Sequence, residues 1–279
     1  MTKELQAKIG KVRERIRVLD SAAVAFSGGV DSTLVAKICA EELGSKALAV
    51  TARSETYPEE EADEARELAA MIGIRHVFVE SRELDIEGYA DNPPDRCYHC
   101  KRELLGQLRR VADEHGLKHI VDGANAEDTG DWRPGLQAAK ELGAVQPLLE
   151  AGMTKSDIRE VSRILGLPTW DKPAYACVAS RFPYGERITA DKLETVKAAE
   201  RFLRANGFRN YRARYHGNVV RIELPVEDMP RALADPLRGE IVAHMKSLGF
   251  LYVALDLQGY RTGSMNEALA PDERNIEKK

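Results

Sequence analysis

After the apolar run Ala22–Phe26 the chain reads Ser27-Gly28-Gly29-Val30-Asp31-Ser32, and a helical stretch follows. Two glycines let the backbone approach an anion, and the start of the following helix offers N–H groups that have no partner within the helix. A Walker loop would add Gly-Lys-Ser/Thr and bring a lysine to the β and γ phosphates. Here Asp31 stands in that place, and a carboxylate suits Mg²⁺ on a pyrophosphate. A site that grips the β and γ phosphates as one leaving group fits attack at the α phosphate, so an adenylate and pyrophosphate are the expected products. The plainer reading is a glycine turn that only lets strand and helix pack. Ser27, Asp31 and Ser32, all at the strand's carboxyl end, weigh against it.

Cysteine supplies the second chemistry, with four in the chain. Cys39 falls beside Ile38 on the helix after the loop and reads as core. Cys97 and Cys100, in Arg-Cys-Tyr-His-Cys-Lys, are three apart near a helix start, which aims both sulfurs to one side and lowers their pKa. Cys177 sits alone in a long loop. Three thiolates without a fourth suit a [4Fe-4S] cluster with one open iron, whereas structural zinc wants four ligands and only His99 is at hand. A redox dithiol at Cys97 and Cys100, or two cysteines without a role, are the other readings.

The elements that must position these residues follow from periodicity. Leu5, Ile9, Val12, Ile16 and Leu19 predict one amphipathic helix over residues 3–19. Short apolar runs at Ala23–Phe26, Lys46–Ala52, His76–Glu80, His119–Gly123 and Val145–Leu149 then alternate with helical patterns. That rhythm is α/β, a doubly wound parallel sheet, with functional residues beyond the carboxyl ends of the strands. Around residue 170 the character changes: Leu167–Thr189 carries three prolines and a glycine without clear periodicity, and a helix and a hairpin, Asn210–Leu224, follow. Its alternation puts Tyr211, Ala213 and Tyr215 on one face and Arg212 and Arg214 on the other. The expected domains are residues 1–172 and a smaller α+β domain over 173–279. The 279 residues carry a net charge of −4, which argues against a nucleic-acid backbone as main partner. The first twenty residues hold no apolar core of signal-peptide length and no run of about 18 apolar residues occurs, so the expected location is the cytoplasm.

The Ser27–Ser32 loop resembles the PP-loop, SGGxDS, of the N-type ATP pyrophosphatases, whose adenine nucleotide α-hydrolase-like domain activates carboxylates or carbonyls by adenylation. In that family the end of the second strand contacts adenine, which points to Thr51 through Ser54. Taken with "RCYHCK", "DGANAEDTGDWRPG", "PLLEAGMTKSDIR", "LPTWDKPAYACVASRFPYGERIT" and "GYRTGSMNE", the chain resembles the LarE family along nearly its whole length. The resemblance implies an ATP-dependent sulfur transferase of nickel-pincer nucleotide synthesis, the cofactor of lactate racemase. Such enzymes adenylate a carboxylate of pyridinium-3,5-biscarboxylic acid mononucleotide and replace the adenylate with sulfur. Cys177 matches the family's sulfur-bearing cysteine. Some members sacrifice that sulfur and keep dehydroalanine, while others with the extra Cys-x-x-Cys hold a [4Fe-4S] cluster carrying an extra sulfide. Cys97, Cys100 and Cys177 match the cluster-bearing subgroup. The family's homo-oligomers make one expected here, and other nickel-pincer biosynthesis proteins are candidate partners.

A carboxylate attacking ATP must be held in line and the charge at phosphorus neutralised, for which Arg133 and Arg181 are candidates. Asp122, Asn125, Asp128, Asp131 and Arg133 follow a strand, where substrate or metal would dock, or where Asx caps would form a turn. Arg212 and Arg214 are candidates for the mononucleotide phosphate, an exposed polar sheet face being the alternative. Trp132 and Trp170 would stack on a pyridinium or anchor their loops. Competing functions are tRNA thiolation, which wants a basic surface, an ammonia-using synthetase, which wants a glutaminase domain, and a nucleotide sensor without turnover.

Overall fold

The computed structural model describes residues 1–57, 59–130, 134–173, 177–261 and 263–269. Two compact units emerge, Met1–Ile86 with Asp95–Tyr175, and Glu87–Pro94 with Ala176–Lys279. Eight residues, 87–94, thus leave the first unit for the second, an excursion that chain order does not announce.

In the first unit β1 (Ala22–Ala25), β2 (Ala47–Arg53), β3 (Arg75–Glu80) and β4 (His119–Val121) form a parallel sheet in the order β3-β2-β1-β4. Val24 lies opposite Ala49 on one side and Val121 on the other. Alternation sends Ala22, Val24, Ala47 and Ala49 into one core with α1 (Lys3–Arg17), α2 (Val30–Leu43) and α3 (Glu59–Ile72). Ala23, Leu48 and Val50 go to the other, with α4 (Arg96–Glu114) and α5 (Pro134–Glu141). Burying each Val, Leu or Ile stabilises by about 1.5–3 kcal/mol, so a sheet that is apolar on both faces has to be covered twice. This is the PP-loop α/β fold. β1 runs on to β2 and β3 on one side, while β4 adds on the other. The crevice at the carboxyl ends of β1 and β4 is therefore the switch point where ligands bind in such sheets.

Two expected elements differ. The first helix ends at Arg17, and Leu19 is buried just beyond it, its N–H bonded to Ile16 O at 3.0 Å. The apolar run at Val145–Leu149 is not a strand: Val145 makes one isolated parallel bridge to Val121, and Pro147 opens a helical turn, α6 (Pro147–Glu150). Proline has no N–H for a ladder and its fixed φ suits a helix start. α7 (Lys155–Ile164) follows behind a reciprocal capping box of Thr154 and Asp157.

The second unit holds α8 (Ala190–Ala205), the hairpin of β5 (Arg212–His216) and β6 (Val219–Glu223), α9 (Met229–Leu233), α10 (Leu237–Ser247) and β7 (Tyr252–Leu255). Its sheet runs β5-β6-β7, antiparallel and then parallel. Gly217, at φ +61°, makes the hairpin turn. Residues 87–94 are strapped to this unit by Ala90 O and Asn92 O, which accept from Ile188 N at 2.8 Å and Gly185 N at 2.9 Å. The Asn92 amide also donates to Pro183 O at 2.6 Å. Among the described residues no helix is long and apolar enough to cross a membrane.

Candidate active site

The Ser27–Ser32 loop is closed by its own hydroxyls. Ser27 N–H reaches Ser32 Oγ at 3.2 Å, the two Oγ atoms stand 3.1 Å apart, and Ser32 Oγ donates to Gly29 O at 3.2 Å. Gly28 takes φ +69°, which a side-chain-bearing residue adopts only with strain. Gly123, after β4, lies so close that a Cβ there would meet Ser32 N at 3.2 Å. Two serines and three glycines thus shape the N-terminus of α2 at the switch point.

Asp31 sits on the first turn of α2. Its Oδ2 pairs with the ammonium of Lys155, the first residue of α7, while its Oδ1 is buried without a partner among the described residues. Burial pushes the Asp31 carboxyl above the usual range, and Lys155 offsets this only in part. Lys172 reaches the same loop, donating to Gly28 O at 3.2 Å and to Glu64 at 2.7 Å.

The residues expected around the nucleotide divide. Thr51 is buried, its hydroxyl committed to Phe26 O at 2.6 Å and facing His76 Nε2 at 2.8 Å. Burial holds His76 below its ordinary pKa. Ser54 follows β2 and lies 3.0 Å from the Thr56 hydroxyl. Past β4, Asp122 is buried against Lys101 and accepts from Gln146 at 3.2 Å. Burial pushes its pKa up, but the Lys101 charge and hydrogen bond outweigh that and hold it low. Asn125 accepts from Glu127 N at 3.0 Å and donates its own N–H to Asp128 Oδ2 at 3.0 Å. These two side chains build the turn that was the alternative reading. Asp131, Trp132 and Arg133 lie outside the described residues; Trp170 is exposed.

Cys97 and Cys100 occupy the first turn of α4 in the first unit, Cys97 exposed and Cys100 half-buried. Cys177 is exposed and belongs to the second unit, its Sγ 3.9 Å from the hydroxyl of the buried Tyr89. Among the described residues no three His, Cys, Asp or Glu side chains gather as an ion site. Cys39 is fully buried, as expected for core.

Arg181, expected to neutralise charge at the reacting phosphate, is 2% exposed and engaged elsewhere. Its Nε and Nη2 grip both oxygens of Glu200 at 2.7 and 2.8 Å, and its Nη1 donates to Cys177 O at 3.2 Å and Ser180 Oγ at 2.9 Å. Burial alone would lower its pKa, yet Glu200 raises it. Arg212 and Arg214 are 6% and 7% exposed, which overturns the exposed polar face. Arg214 is forked onto Glu223 at 2.9 and 3.0 Å and donates to Ser180 O at 2.6 Å. Arg212 lies over the Tyr260 ring, 4.8 Å from its centre, and donates to the Tyr260 hydroxyl at 3.0 Å and to Tyr211 O at 2.7 Å. Burial, and then the neighbouring Arg181, pull its pKa down to about 10. An anion would relieve such a cation.

The asparagine synthase family model matches residues 10–126, the span from α1 past β4. The pyridinium-3,5-bisthiocarboxylic acid mononucleotide synthase of Lactiplantibacillus plantarum is 40% identical over 255 residues, 91% of this chain and 92% of its own length. This chain belongs to the LarE family. It is accordingly an ATP-dependent sulfurtransferase of the adenylating, PP-loop kind. A Synechocystis relative, uncharacterized protein slr1717, is 46% identical over 265 residues, 95% of this chain and 99% of its own. More distantly, one of the subunits of glutamine-hydrolysing GMP synthase from Archaeoglobus fulgidus is 26% identical over 229 residues, 72% of this chain and 69% of its own.

Sequence reasoning missed the cations beside the loop and Asp122 of this LarE protein. Lys155 was legible in principle, because Thr154-Lys155-Ser156-Asp157 is a capping-box pattern that puts a lysine at the first position of a helix. Lys101 and Lys172 gave no such signal, since their partners Asp122 and Glu64 are remote in the chain.

Proposed function

We propose that this LarE protein adenylates a carboxylate of pyridinium-3,5-biscarboxylic acid mononucleotide at the Ser27–Ser32 loop and exchanges the adenylate for sulfur at Cys177. Likeness to the L. plantarum synthase along 91% of the chain carries the reading. The geometry supports it. The α2 N-terminus suits the phosphates of ATP. Asp31, with one buried oxygen lacking a partner among the described residues, would hold Mg²⁺, which would supply positive charge to the departing pyrophosphate, and Lys155, paired with the other Asp31 oxygen, is the candidate for the β and γ phosphates. A carboxylate oxygen of the substrate attacks the α phosphorus, the bond to the β-phosphate oxygen breaks and pyrophosphate departs. Sulfur then attacks the acyl carbon and AMP leaves with the electron pair of the C–O bond. Arg212 and Arg214 hold the mononucleotide phosphate. Arg181 is a positioning residue here, fixing the Cys177 carbonyl.

The sulfur source has two forms. Cys177 giving its own sulfur loses the Cβ–Sγ bond with departure of its Cα proton, leaving dehydroalanine. Three thiols, two of them on one helical turn, also suit a [4Fe-4S] cluster by the chemistry of the donor set. Cys97, Cys100 and Cys177 would hold that group, which supplies transferable sulfide when bound.

Purified protein given ATP, Mg²⁺ and the biscarboxylate mononucleotide should release pyrophosphate and yield a product with oxygen replaced by sulfur, read by mass spectrometry. Pyrophosphate release that ignores the mononucleotide overturns the reading. Iron and acid-labile sulfide after anaerobic reconstitution, about four of each per chain and lost in Cys97→Ala, would select the cluster; dehydroalanine at position 177 would select the sacrificial donor.

A further inference from the structure

Cys97 and Cys100 share one turn of α4, and the helix alone gives their sulfurs equivalent settings. Their surroundings make them unequal. Cys97 is exposed, whereas Cys100 is half-buried and its S–H donates to Glu83 Oε1 at 2.9 Å. Glu83 is 8% exposed and opens the short 3-10 turn Glu83–Asp85. Its other oxygen, Oε2, accepts from the Thr56 hydroxyl, and its N–H donates to the Glu55 carboxylate at 3.2 Å. A carboxylate bonded at both oxygens cannot turn without breaking one bond, so Thr56 aims Oε1 at the thiol.

We propose that Glu83 is the positioning residue of the cysteine pair: it docks Cys100 and leaves Cys97 as the sulfur that first meets a soft metal ion or an incoming sulfane sulfur. This rests on the reading of Cys97 and Cys100 as sulfur-handling residues. Cys100 joins only by giving up Glu83. The pair is thereby loaded in order, Cys97 and then Cys100.

The test is N-ethylmaleimide labelling of the iron-free protein under anaerobic conditions, with each cysteine read from fragment spectra of the peptide 97–101. Cys97 should react about tenfold faster, the preference that one hydrogen bond to a charged group confers. Glu83→Leu, which keeps bulk and removes the acceptor, should bring the two rates together. Glu83→Gln should keep them apart, because its amide oxygen accepts the S–H while its NH₂ donates to Thr56. Thr56→Val should fall between. Equal rates in the wild type, a difference that survives Glu83→Leu, or Glu83→Gln behaving as Glu83→Leu each overturns the assignment. Should Glu83→Leu fail to fold, an unchanged ratio in Thr56→Val overturns it. Full thiocarboxylate formation by Cys97→Ser would instead remove the sulfur-handling role and leave the unequal labelling standing.

Discussion

One oxygen of Asp31 is bonded to Lys155 and the other is buried without a partner among the described residues, so a partly desolvated charge stands where Mg²⁺ is expected. Burial raises the Asp31 pKa in the folded state. Between the ordinary carboxylate value and the raised one, the folded chain therefore binds more protons than the unfolded chain, and stability declines as pH rises through that window. Asp31→Asn should abolish pyrophosphate release yet melt about 2 °C higher at neutral pH. Its advantage should vanish at acid pH, as calorimetry across the window will show. Arg181 makes the opposite case, a buried ion pair that builds rather than reacts. Glu200→Ala should destabilise by about 3–5 kcal/mol in urea, because it strands a buried guanidinium, while Arg181→Met with Glu200→Leu should recover much of that loss. The double variant should still release pyrophosphate; abolished release would return Arg181 to the reacting phosphate.

At the scale of elements, α7 is held by its cap and presents Lys155 at its first position. Thr154→Ala should cost about 1 kcal/mol of stability. It should also raise KM for ATP more than it lowers kcat, since the lysine loses its fixed origin; steady-state pyrophosphate kinetics separate the two. β1, the loop and α2 were legible in the sequence because a strand of small residues, two glycines and a helical pattern all agree locally. Val145–Leu149 was misread because apolar runs of that length suit strand or helix equally, and the decisive residue was Pro147. The hairpin and its alternation were legible, but the burial of Arg212 and Arg214 was not. Glu223, Ser180 and Tyr260 cover them from positions up to 48 residues away. A separation of 17 residues likewise concealed Glu83 opposite Cys100.

For the whole molecule, two apolar sheet faces covered by helices and a second small sheet follow from patterning, and the loop and Cys177 are the residues on which the proposed chemistry rests. Residues 87–94 could not be assigned to the second unit from sequence, since nothing local distinguishes them from a connection. A net charge of −4 favours a small anionic substrate over tRNA only weakly. Pyrophosphate release should rise with the biscarboxylate mononucleotide and stay flat with bulk tRNA at low salt, where any RNA contact is strongest. Stimulation by tRNA would move the chain to the base-thiolating reading.

Asn92 meets Phe182 O across a separation of 90 residues. During synthesis at about 5–20 residues per second, Tyr89 and Asn92 leave the ribosome several seconds before their partners and must wait undocked. A gene fragment ending near residue 172 would therefore display an orphaned strap with a bare tyrosine. Its partner fragment would lack the strap that closes residues 182–188. Clean dissection of this chain calls for a circular permutation or a transplanted strap rather than a stop codon.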